Sequence, residues 1–185
     1  MRLDRLVFVT SNMGKLREAE AVLGIGLDHC SLDLEEIQSL ALEEVVSHKA
    51  AGAFGRLQRP VLVEDTSLEL AGLGGFPGPL IRWLLTTVGP EGICRIAHAF
   101  YDTTATVRCI AMASDGVDEA MGLGVVTGRI VRTPRGQRGF GWDSCFAPDG
   151  FDGRTYGEME EAEKNAISHR KIAFRNLRDA LDARR

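Results

Sequence analysis

Two short segments near the C-terminus concentrate side chains able to do chemistry. Gly139-Phe140-Gly141-Trp142-Asp143 sets aromatic rings beside a carboxylate, and Lys164-Asn165-Ala166-Ile167-Ser168-His169-Arg170 places lysine, serine, histidine and arginine within seven residues. Together these are the groups needed to stack a planar base and to neutralise a polyphosphate.

At about 100° per residue, Ala166, Ile167, Ala173, Phe174, Leu177, Ala180 and Leu181 fall on one helical stripe that should face a core, and Arg170 falls inside it. With Ser168 as N-cap, Arg170 stands in the first turn, where the helix dipole already presents positive charge. Lys164, His169 and Arg170 therefore crowd cations at a helix start that favours anions. A bound anion is the simplest resolution; an internal carboxylate partner is the alternative, and these residues leave both open.

Other segments must bring further groups to that place. Leu6-Val7-Phe8-Val9 reads as a buried strand and Leu16 to Leu23 as a helix burying Leu16, Ala19, Val22 and Leu23. Between them, Thr10-Ser11-Asn12-Met13-Gly14-Lys15 can offer backbone N–H groups and a cation to phosphate, or form an ordinary connecting turn. The helix expected over Leu42 to Leu57 carries Lys49 on its apolar side, where it snorkels past the core edge or reaches a cleft. Val61-Leu62-Val63 is a second buried strand ending in Glu64-Asp65-Thr66-Ser67, the position where open α/β sheets place ligands. Alternation along a strand points Glu64 and Asp65 to opposite sides, and a solvated loop start is the other reading of the pair.

Gly72 to Pro79 is a punctuated loop leading into a helix through Val88 that carries Arg82, and Gly89-Pro90 breaks the chain before a short helix reaching Phe100. Thr104 to Ala113 and Glu119 to Val131 are strands joined through Ser114-Asp115-Gly116; Gly122, Gly124 and Gly128 would permit bulges or strong curvature. Glu158, Glu160, Glu161 and Glu163 read as a solvated helix face rather than a metal site.

Composition excludes several function classes. A chain of 185 residues, 44% hydrophobic, with no linker, low-complexity stretch or internal repeat, suits one globular domain spanning 1–185. A formal net charge of −4 argues against a nucleic-acid-binding surface, including one built on Arg129, Arg132, Arg135 and Arg138, while a local basic pocket for a small anion stays compatible. Cys30, Cys94, Cys109 and Cys145 lack metal-ligand spacing and read as reduced thiols. Neither a signal peptide nor a membrane span is expected, which points to a cytoplasmic protein.

In order along nearly the whole chain, Thr10 to Lys15, Val63-Glu64-Asp65-Thr66, Leu73 to Pro79, Gly139 to Asp143 and Glu163 to Arg170 closely resemble the inosine triphosphate pyrophosphatase family. The resemblance implies metal-dependent hydrolysis of non-standard purine nucleoside triphosphates (ITP, dITP, XTP) to the monophosphate and pyrophosphate, with Mg2+ as cofactor and a homodimeric state. It implies Asp65 as general base and metal carboxylate and Glu36 as the other metal ligand. Thr10, Ser11, Asn12, Met13, Gly14, Lys15, Lys49, Thr66, Arg82, Phe140, Gly141, Trp142, Asp143, Lys164, His169 and Arg170 are similar to the family's substrate contacts. Ser11 and Ser144 depart from the family pattern, which has glycine and proline there.

The expected fold is α/β: a central mixed sheet flanked by helices, with a long β-hairpin extension and a nucleotide cleft between two lobes. Donors from Arg170, His169 or nearby backbone would satisfy a 6-oxo group and be left unpaired by a 6-amino group, while Phe140 or Trp142 stacks the ring. A nucleotide-binding regulatory module without turnover is the alternative function.

Overall fold

The computed structural model describes residues 1–183, so the last two positions of the expected 1–185 domain lie outside the described residues. Among the described residues, seven strands form one mixed sheet: β1 (Val7–Val9), β2 (Asp28–Cys30), β3 (Val61–Leu70), β4 (Pro77–Gly78), β5 (Thr104–Ser114), β6 (Glu119–Ile130) and β7 (Phe146–Pro148). The order is β2-β1-β3-β5-β6-β7, with β4 pairing β3 off that path. Helices α1 (Met13–Leu23), α2 (Leu42–Leu57), α3 (Ile81–Ala99), α4 (Glu161–Ile167) and α5 (His169–Asp182) pack around it.

Pairing lengths divide the sheet into two halves. Parallel β1 meets β3 only at Val61 and Leu62, whereas β5 runs antiparallel to β3 from Val61 through Leu70. Past β1 the β3-β5-β6 ribbon continues, edged by the short β4 on β3 and by β7 on β6. In the near half, period-two alternation sends Phe8, Leu62 and Ala111 to one face against α1 and α5, and Val61, Val63 and Ile110 to the other against α2. The far half has its own core, in which Leu68, Leu70, Ile93, Val107, Phe146 and Tyr156 are buried.

Local chemistry sets the element ends. The Asn12 side chain accepts from Gly14 N–H and Lys15 N–H to cap α1, and the Ser168 side chain accepts from Lys171 N–H to cap α5. Extended backbone at Ser168 (φ −68°, ψ 152°) separates α4 from α5. Ala166 and Ile167 therefore leave the stripe expected of them: they lie on α4, and Ala166 is exposed. Gly89 (φ 68°, ψ 179°) ahead of Pro90 kinks α3 at the expected break. The Asp115 carboxylate accepts from Val117 N–H and Asp118 N–H in the turn joining β5 to β6.

The glycines of β6 serve a purpose other than curvature. Pairing with β5 keeps constant register from Thr104↔Arg129 to Ser114↔Glu119, with no bulge. A Cβ at Gly122 would lie 2.1 Å from the Ala173 carbonyl oxygen, and one at Gly124 would lie 1.9 Å from that of His169. Helix α5 thus rests directly on strand backbone. Gly124→Ala is expected to destabilise the fold by at least the about 1–3 kcal/mol typical of overpacking, measured as a lower urea midpoint at unchanged slope.

Candidate active site

A cavity of about 940 Å³ opens where the two halves meet. Its walls come from the β1–α1 turn, residues 32–38, α2, the middle of β3, the first turns of α3, the segment Phe140 to Asp143 and the start of α5. Thr10, Ser11, Asn12, Met13, Lys15, Glu36, Lys49, Asp65, Thr66, Arg82, Phe140, Gly141, Trp142, Asp143, His169 and Arg170 all line it. Two expected residues, Gly14 and Lys164, are not part of that wall. Lys164 is 3% exposed and lies behind it.

The charged groups form one alternating chain from the cavity mouth into the interior. Arg82 Nη1 lies 3.1 Å from Glu36 Oε2, and Lys49 Nζ lies 3.7 Å from Glu36 Oε1 and 3.6 Å from Asp65 Oδ2. Lys15 Nζ is 3.8 Å from Asp65 Oδ1 and is also bound by Glu64 Oε1. Glu64 Oε2 accepts from Arg170 Nε at 3.1 Å, and Arg170 Nη1 donates to Glu18. Glu18 Oε1 then accepts from Lys164 Nζ at 2.7 Å, and the same ammonium donates to Asp143 Oδ2 at 2.6 Å. Side-chain exposure falls along this series from 72% at Arg82 to 4% at Lys164. Screening is therefore strong at the mouth and weak inside.

This chain answers the question left open at the helix start. Lys164 and Arg170 are paired with Glu18, Glu64 and Asp143, so internal carboxylates offset the crowded cations. Glu64 and Glu18 were absent from the expected site. Alternation does turn Glu64 inward (2% exposed) and Asp65 toward the cavity, yet Lys15 reaches both. The pair sits mid-strand, since β3 runs on to Leu70. Glu18 lies off the apolar stripe of α1, and only the need of two buried cations for partners signalled it.

Environment sets the protonation states. Burial opposes ionisation of Glu64, but the Arg170 guanidinium and the Lys15 ammonium hold it well below the usual carboxylate range. Burial likewise opposes the charge on Lys15, and Glu64 and Asp65 more than reverse that effect, raising it. For Asp143 burial prevails over Lys164 and the pKa rises. His169 is pushed well below its ordinary value by burial and by Arg170 and Lys164, so the ring is neutral at pH 7.

The His169 ring lies 5.6 Å from that of Trp142 and 6.1 Å from that of Tyr156, and its Nδ1 has no hydrogen-bond partner. An unfolded histidine protonates below about pH 6.5 while the buried one resists, so its contribution to stability is present above that pH and is lost as pH falls. Stability is expected to drop by up to about 1.4 kcal/mol per pH unit below 6.5 through this residue alone. Urea titrations at pH 7 and 5.5 should show a smaller difference for His169→Asn.

Aromatic groups complete the wall. Phe140 has the Lys164 ammonium 4.9 Å and the Arg170 guanidinium 5.6 Å from its ring centre. Trp142 lines the cavity while packing edge-on to Phe146 at 6.0 Å, so it serves core and site together.

Among the described residues no cluster of three or more His, Cys, Asp or Glu could hold a metal. Glu36 and Asp65, both within 4 Å of Lys49 Nζ, form a two-carboxylate set. That set fits a hard divalent cation such as magnesium, which takes one or two protein carboxylates and completes its shell with water and phosphate oxygens. Three of the four glutamates left out of the site are engaged elsewhere: Arg135 pairs with Glu158, Arg138 with Glu160 and Arg154 with Glu163. These pairs also occupy two arginines of the basic series. No helix among the described residues is long and apolar enough to cross a membrane.

A family model described as the Ham1 family matches residues 6–180. The inosine triphosphate pyrophosphatase of Yarrowia lipolytica is 46% identical over 178 residues, spanning 94% of this chain and 93% of that one. Inosine triphosphate pyrophosphatase 2 of Trypanosoma cruzi is 41% identical over 173 residues, spanning 92% and 88%. A solved HAM1 protein from Coxiella burnetii superposes with a TM-score of 0.81 at 27% identity, covering 96% of this chain and 98% of that one.

Proposed function

Because the chain belongs to the Ham1 family, we propose that its cavity hydrolyses non-standard purine nucleoside triphosphates, ITP, dITP and XTP, to the monophosphate and pyrophosphate. The observation that carries this reading is the convergence of Lys15, Lys49, Arg82, Glu36 and Asp65 in one cavity with Phe140, Trp142 and His169. Cations for a polyphosphate, carboxylates for a cation and a water, and rings for a base share one space.

Asp65 orients the attacking water and takes its proton. Thr66 N–H donates to Asp65 Oδ1 at 2.8 Å and fixes that carboxylate, leaving Oδ2 toward Lys49. Water adds to the α-phosphorus, the bond to the β-phosphate oxygen breaks, and pyrophosphate leaves against Lys15 and Lys49. Glu36 and Asp65 would hold the divalent cation, which screens the triphosphate oxygens when bound. Neutral His169, with an unpartnered Nδ1, and Arg170 face the base; Phe140 and Trp142 stack it.

Magnesium as the cation, a homodimeric assembly, a cytoplasmic location and a single catalytic domain over 1–185 belong to the same reading. Initial rates of pyrophosphate release from ITP, dITP, XTP, GTP and ATP, with magnesium and with chelator, test it. Release should require the metal and favour ITP over ATP. Equal rates would defeat the reading, and binding without release would leave a nucleotide-binding module instead.

A further inference from the structure

The carboxylates assigned to the metal are not free. Lys49 Nζ lies 3.7 Å from Glu36 Oε1 and 3.6 Å from Asp65 Oδ2, so one ammonium serves both carboxylates. Arg82 Nη1 takes the remaining Glu36 oxygen at 3.1 Å, reaching across the cavity mouth from α3 to the segment before α2. Both acidic groups are thus already neutralised by the chain itself.

We propose that Arg82 is a specificity-determining residue that stands in for the metal on Glu36, so that the site admits a divalent cation together with a triphosphate and disfavours the cation alone. The inference rests on the assignment of Glu36 as a metal carboxylate.

Charge decides between the two modes of loading. With Lys15 bound to Glu64, Lys49 and Arg82 against Glu36 and Asp65 leave the open part of the site without net charge. A divalent ion entering alone leaves an excess of two positive charges and displaces Lys49 and Arg82 from Glu36 and Asp65. A triphosphate carries about four negative charges at neutral pH, so its complex with the ion is still anionic. The complex supplies phosphate oxygens to the displaced cations as it hands its metal to the carboxylates. Arg82 is suited to this transfer: its side chain is 72% exposed, and its guanidinium matches phosphate as well as carboxylate. Lys49, on a flexible four-carbon stem, needs only a small displacement to exchange one partner for the other.

The test measures metal binding without turnover. Mn2+, as a paramagnetic substitute for magnesium, is titrated into nucleotide-free protein and its free fraction followed by electron paramagnetic resonance. The titration is repeated with the non-hydrolysable α,β-imido analogue of ITP. Wild type should bind Mn2+ weakly alone and much more tightly with the analogue. Arg82→Gln should tighten binding of Mn2+ alone by about threefold to fivefold, the range an exposed ion pair supports, and shrink the gain from the analogue.

Arg59→Gln is the control for net charge. It removes an equally cationic partner from the exposed Arg59–Asp28 pair, which lies at the opposite end of the parallel strands, and should leave Mn2+ affinity unchanged. If Arg82→Gln leaves affinity for Mn2+ alone unaltered, or Arg59→Gln raises it equally, Arg82 is not the stand-in. Glu36→Gln separates that failure from failure of the premise. Loss of Mn2+ binding in Glu36→Gln keeps the metal assignment; unaltered binding there overturns the assignment and the inference with it.

Discussion

Asp65→Asn should lower kcat for pyrophosphate release from ITP by about 10²- to 10⁴-fold, the contribution expected of a positioned general base. Asparagine preserves the shape of the side chain and its place on β3. It removes the charge that faces Lys15 and Lys49 and the capacity to accept a proton from water. At 21% side-chain exposure Asp65 is a cavity residue rather than a core one, so the fold should survive. Nucleotide binding should stay measurable by calorimetry, because the cations proposed to meet the phosphates are retained. Unchanged turnover would refute the assignment of Asp65 as base.

The second large effect lies deeper. Arg170→Ala leaves Glu64 and Glu18 each short of a partner in a region where both are nearly inaccessible, and breaking a buried pair from one side costs about 3–5 kcal/mol. Denaturation should register that loss directly. Below the variant's unfolding midpoint, the ratio of kcat/KM for ITP to that for ATP should also fall, by roughly tenfold to a hundredfold if a base contact is lost. The two readouts are independent. Intact stability would contradict the buried ion chain, and an intact ratio would contradict a role in base recognition.

Much of this was legible in the residue pattern, for identifiable reasons. Leu6 to Val9 and Val61 to Val63 are short, largely β-branched apolar runs of the kind buried strands take, and Asp115-Gly116 marks the β5–β6 turn. Ser168 is recognisable as a cap because a hydroxyl there can satisfy an otherwise orphaned N–H. Among the cavity residues, those with a charge or a ring inside a segmental motif were found.

What escaped was long-range. Glu18 and Arg170 are 152 positions apart, and neither helix shows by its own periodicity that the other supplies its counter-charge. Helix α1 sets its apolar stripe into the core and turns a second face to α4 and α5, so a carboxylate on that second buried face looks solvated. The glycines of β6 were noticed for their conformational freedom. Their use, room for another backbone, depends on which helix lies above.

That contact has an implication for how the sequence can drift. Helix α5 sits on bare peptide, so the height of its first turn, which carries His169 and Arg170, is set by atomic radii and not by compressible side chains. Substitutions on its outward surface can accumulate without lifting the ring or the guanidinium. That ring and guanidinium are thereby insulated from neutral change across most of their own helix, and exposed to it at two strand positions, Gly122 and Gly124.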